Sequence, residues 1–93
     1  MVEYIFGVLD TLGIKNGCMH SEVKFETRGP VLIEVNCRMH GGEGTWAPMA
    51  EACVGYSAVS ACADAFLDPA AFAWLPRVPD NFQAHAMEAK LRS

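Results

Sequence analysis

Apolar residues recur along this 93-residue chain with two different periods, and each change of period marks an element. Near the start, Val2, Ile5, Phe6, Leu9 and Leu12 fall three or four positions apart. That spacing lines one face of a helix, and Gly13 is placed to end it. Gly13 to Gly17 form a connector. From Met19 to Phe25 the period drops to two, as in a half-buried strand. A second such run, Val31 to Cys37, follows the turn-forming residues Thr27-Arg28-Gly29-Pro30. Together they predict an antiparallel hairpin over residues 18–37, followed by a loop from Arg38 to Trp46. Pro48 then opens a helix running to about Val54, since proline is tolerated in a first turn. Gly55 interrupts it, Ser57 caps a second helix through Leu67, and Asp68-Pro69 starts a short third. Pro76 and Pro79 break the pattern. Residues 81–93 read as a short terminal helix or a tail, with His85, Glu88 and Arg92 on an exposed face. The expected class is α+β: an N-terminal helix, an antiparallel hairpin, then C-terminal helices.

The hairpin carries the chemistry. With a three-residue loop centred on Arg28, Glu26 faces Pro30, Lys24 faces Leu32, Glu22 faces Glu34 and His20 faces Asn36. Val23 and Phe25 then share the apolar face with Val31, Ile33 and Val35, while Glu34, Asn36 and Arg38 project together from the other. A slip of one residue would swap the faces of one strand and bury its carboxylate. Glu22 and Glu34 thus oppose each other, and like charges so placed repel. Either one carboxyl holds a proton or a divalent cation bridges the pair, and the cation accounts for the pair better. The amide of Asn36 adds a neutral oxygen, which suits magnesium or manganese better than zinc. An amphipathic strand with its polar face in water is the plain alternative.

Gly17-Cys-Met-His-Ser-Glu-Val-Lys-Phe, a turn, then Gly29-Pro-Val-Leu-Ile-Glu-Val-Asn-Cys-Arg resembles the end of the ATP-grasp fold. That family comprises ATP-dependent carboxylate–amine and carboxylate–thiol ligases and related carboxylases. The resemblance implies that Glu22, Glu34 and Asn36 hold the Mg2+ (or Mn2+) ions that bridge ATP phosphates. It implies that Arg38 contacts phosphate or an acyl phosphate. His40-Gly-Gly-Glu-Gly-Thr resembles the substrate loop of the amino-acid-ligase branch, which assigns Gly41 and Gly42, with His20, to ligand binding. The implied reaction joins a small carboxylate to an amine through an acyl phosphate, without a covalent enzyme nucleophile.

The resemblance runs from about Val2 to Leu67. No glycine-rich flap, adenine-side lysine pair or hinge segment accompanies it. Residues 1–76 are therefore expected to be the C-terminal part of an ATP-grasp domain, and residues 77–93 a tail or short helix. The partner so implied is a missing N-terminal ATP-binding half. Alone, the chain is expected to show no ATP-dependent turnover. A non-catalytic metal- or partner-binding module is the alternative of a different class, and a structural α+β fragment is a third.

Composition narrows the setting. Hydrophobic residues make up 52% and charged residues 19%, apolar for so small a unit, so some of that surface is expected to face a missing domain. The net charge of −4, with no basic face, argues against nucleic-acid binding. No apolar run approaches membrane-spanning length, and the start lacks the basic region of a signal peptide, so a cytoplasmic protein is expected. Cys18, Cys37, Cys53 and Cys62 form no Cys-x-x-Cys pair and read as buried free thiols. A zinc site of Cys18, His20, Cys37 and His40 is opposed by the register, which turns Cys37 to the apolar face. His20 binds phosphate, orients a metal ligand or makes a structural hydrogen bond. His40 and Glu43 flank glycines where a ligand can approach closely, or else mark a plain turn. Trp46 walls a pocket or simply packs.

Overall fold

The computed structural model describes residues 1–91, apart from the side chain of Glu43. Helix α1 spans Val2–Thr11. Val2, Ile5, Phe6 and Leu9 are half-buried as expected, joined by Tyr4 and Val8, whereas Leu12 is exposed. The helix closes where Gly13 takes φ +71, a left-handed conformation that costs glycine little. Ile14 N–H returns to the Leu9 carbonyl at 2.9 Å.

Strands β1 (His20–Glu26) and β2 (Gly29–Asn36) form an antiparallel pair. The loop is Thr27-Arg28, because Glu26 pairs with Gly29 rather than with Pro30. Gly29 makes the tighter connection possible at φ +115. Phe25 then pairs with Pro30, Lys24 with Val31 and Val23 with Leu32, one step off the register expected from a three-residue loop. A β-bulge follows, with Ile33 as the residue left over. Beyond it Glu22 pairs with Glu34, Ser21 with Val35 and His20 with Asn36.

The bulge corrects one expectation about faces. Val31 and Ile33 are exposed, and the half-buried positions of β2 between bulge and turn are Leu32, Pro30 and Gly29. Leu32 turns inward because it shares a face with Val23, and its N–H donates to the Tyr4 hydroxyl at 3.0 Å. That bond ties α1 to the hairpin. Lys24 and Glu26 lie on the outer face as an ion pair at 3.2 Å.

These elements make up one compact unit, Met1–His40, and the described part of Gly41–Ser93 makes a second. The second unit opens on a 3-10 turn, Gly42–Gly44, and continues with α2 (Trp46–Val54), α3 (Ala58–Leu67) and α4 (Pro69–Ala73). Helix α2 begins two residues before Pro48, which therefore sits inside the first turn. Gly55 ends it in a left-handed conformation at φ +85. Ser57 caps α3 through a capping box: its hydroxyl accepts from Ser60 N–H, and the Ser60 hydroxyl accepts from Ser57 N–H. The Ser60 hydroxyl also donates to Glu51 at 2.7 Å, fastening α2 to α3. Asp68 caps α4 by accepting from Ala71 N–H.

Past α4 the described chain has no regular structure, so residues 81–91 form a tail and not a helix. Gln83 N–H donates to the Cys53 carbonyl at 2.7 Å and holds the tail to α2. His85 and Glu88 are exposed but share no helix face, and Arg92 lies outside the described residues. Among the described residues no hydrophobic side chain is fully buried, and the only buried polar side chain is Ser57, at 4% exposure. No helix among them is long and apolar enough to cross a membrane.

Candidate metal centre

The bulge at Ile33 builds the site. An unbroken ladder from the two-residue turn would set Ile33 opposite Glu22 and Glu34 opposite Ser21, with the carboxylates on different faces. The extra residue restores the pairing and aims Glu34 at Glu22, as bulges do beside functional sites. One ligand atom each from His20, Glu22 and Glu34 lies within 4.8 Å of the other two. Both glutamates are exposed and His20 is half-buried. Asn36, paired with His20, donates its side-chain amide to Glu34 Oε1 at 2.7 Å. That bond fixes the carboxylate and leaves the Asn36 amide oxygen as the acceptor it offers.

His20 is placed differently from its neighbours. Its Nδ1 is shut from solvent and has no hydrogen-bond partner among the described residues. Its ring packs on the ring of His40, with centroids 4.5 Å apart and planes tilted by 32°. The sequence put His20 on the correct face, but nothing in the pattern signalled the His40 contact, because His40 lies past the end of β2.

The remaining candidate residues are spread more widely. Arg38 is exposed, and its Nη1 donates to the Met39 carbonyl at 3.1 Å. Gly41 and Gly42 belong to the second unit, where Gly42 begins the 3-10 turn at φ +46. Trp46 Nε1 donates to the Gly41 carbonyl at 3.1 Å, so the aromatic ring braces the glycine loop from within its own unit. Cys37 is exposed rather than buried on an apolar face, and Cys18, Cys53 and Cys62 are half-buried cysteines outside any disulfide. Among the described residues no cysteine joins the cluster.

Over 89 residues the chain is 39% identical to dapdiamide A synthase of Enterobacter agglomerans. The match takes in 96% of this chain and 20% of the synthase, so the chain spans about a fifth of that curated relative's length. No protein-family model matches the sequence, and no solved structure matches it.

Proposed function

We propose that this chain is the metal- and phosphate-binding segment of an ATP-dependent carboxylate–amine ligase of the ATP-grasp type. The observation that carries the reading is the pairing of Glu22 with Glu34 across the bulge, with His20 and Asn36 beside them. Two opposed carboxylates on a solvent-facing strand pair are unfavourable without a cation between them. The donor set fits a divalent ion: two anionic oxygens and the amide oxygen of Asn36. Similarity to part of a synthase agrees with this reading, as does the fifth of that enzyme which the match covers.

Glu22, Glu34 and Asn36 would hold Mg2+ or Mn2+, which would neutralise charge on the β- and γ-phosphates of ATP. Arg38 supplies a planar fork of donors suited to phosphate or an acyl phosphate, with only one donor engaged at Met39. His20 would complete the contacts to ligand. A substrate carboxylate would take the γ-phosphoryl group, and an amine would then displace phosphate to leave an amide. The adenine pocket would come from an N-terminal half. The setting is cytoplasmic, where ATP is supplied and the four cysteines stay reduced.

The test is reconstitution. The chain is mixed with dapdiamide A synthase lacking its matching 89 residues, and ADP release is followed with carboxylate and amine present. Substrate-dependent release that Glu34→Gln abolishes is the expected result, with the hairpin amides unchanged by NMR. Equal release by the Glu34→Gln chain would remove Glu34 from the site. Divalent-ion binding without any ADP release would favour the second reading, a non-catalytic metal- or partner-binding module.

A further inference from the structure

We infer that His20 is itself a metal ligand, which makes the hairpin a mixed nitrogen–oxygen site that selects a divalent transition ion over Mg2+. This rests on the cation reading of the Glu22–Glu34 pair and refines it. A ring nitrogen of His20 belongs to the same 4.8 Å cluster as both carboxylates. Consecutive same-face pairs of the ladder, His20 with Asn36 and Glu22 with Glu34, put all four groups on one side of the sheet.

The orphaned atom gives the second observation. A buried polar nitrogen without a partner among the described residues is costly and asks for an explanation, and Nδ1 is one of the two ring atoms through which His20 can meet a cation held beside the carboxylates. Stacking on His40 fixes the ring, so His20 loses little freedom on ligation. The chemistry of the donors then decides which ion. Mg2+ is a hard cation that favours oxygen and sheds its waters reluctantly. Imidazole nitrogen suits the first-row transition ions, whose affinities rise from Mn2+ onward. Mn2+ is the informative probe, because it accepts both donor types and has little appetite for the thiols of Cys18, Cys37, Cys53 and Cys62.

Mn2+ binding to the chain is read by electron paramagnetic resonance, and Mg2+ binding by competition and by hairpin amide shifts. The variant is His20→Phe, which keeps a ring against His40 but offers no nitrogen; His20→Ala is run beside it. The wild type is expected to bind Mn2+ at least about tenfold more tightly than Mg2+, and His20→Phe to lose about tenfold in Mn2+ affinity while Mg2+ stays within about twofold. If both ions bind and neither responds to His20→Phe, the inference is overturned while the two-carboxylate site stands. An equal loss for both ions would give His20 a merely structural role and overturn it likewise. If neither ion binds a chain whose hairpin amides are intact, the cation reading falls together with the inference.

Discussion

Arg38 shows what a single side chain contributes that its charge alone does not. It lies two residues past Asn36, exposed, with one of its five donors on the Met39 carbonyl. That contact orients the guanidinium without exhausting it, so two parallel donors remain for phosphate oxygens. An ammonium at the same place offers a point charge on a freely turning stem. Arg38→Lys is therefore expected to resemble Arg38→Ala more than wild type. Losing a charge-assisted contact costs about 1.5–3 kcal/mol, or one to two decades in rate if the contact is made at the transition state. Steady-state ADP release in the reconstituted ligase checks this. A lysine variant within about twofold of wild type would leave Arg38 only background charge.

Among the elements, the hairpin and the α2–α3 corner make separate demands. Ile33 exists in the ladder as a spacer. Deleting it leaves a regular ladder in which Glu34 still meets Glu22, so Mn2+ affinity should stay within about threefold. Deleting Val35 instead moves Asn36 opposite Ser21, onto the other face, and should cost the site its neutral oxygen. Parallel Mn2+ titrations of the two deletions, with cross-strand nuclear Overhauser contacts to verify register, distinguish these outcomes. Loss of binding on Ile33 deletion would mean that the bulge's twist, and not the pairing alone, sets the cluster.

At the α2–α3 corner, hydrogen bonds from the Ser60 hydroxyl, and next from Ser57, hold the Glu51 carboxyl below the usual glutamate range. A carboxyl depressed in the folded state stabilises it fully above its unfolded pKa, about 4.3, and that contribution is lost as pH falls through the lowered folded value. The corner should thus loosen only under acid conditions. Protection of the Ser60 amide against hydrogen exchange should fall over that window, and Ser60→Ala should flatten the dependence. A wild-type profile with no slope there would uncouple Glu51 from the corner.

Taken as a whole, the molecule leaves much of its apolar surface in water. Phe66, Leu67 and Trp74, in and just after α3 and α4, are 83%, 84% and 88% exposed, while no described hydrophobic side chain is fully buried. Covering one such side chain fully is worth about 1.5–3 kcal/mol, so this end of the second unit is far from its lowest free energy in isolation. Under the proposed function, the ATP-binding half covers it. With Trp46→Phe as background, Trp74 is the chain's sole indole, and its emission is read as the difference from the truncated synthase alone. Its emission should shift to the blue on adding the truncated synthase, and Phe66→Glu should weaken that association. Unchanged emission in an active complex would show that this end stays solvated.

Much of the chain could be read locally, because its signals act over a few residues. Gly13 ends α1, Ser57 caps α3 and Asp68 caps α4 through bonds that span no more than five positions, and each stands where the pattern puts it. The period-two runs likewise locate both strands. Register is another matter, since it depends on the turn, on every rung and on what the inner face packs against. Glu22 meets Glu34 as anticipated, yet by another route: the loop is one residue shorter than a symmetric reading requires, and the bulge at Ile33 returns that residue. No local preference distinguishes Leu32 from Val31 as the inward residue. The hydroxyl of Tyr4, 28 residues away, receives the Leu32 N–H and marks that choice. The His20–His40 contact and the orphaned Nδ1 arise in the same way, from parts of the chain that alternation and capping do not connect. Short-range hydrogen bonding thus set the elements, and long-range packing decided which side chains the elements bring together.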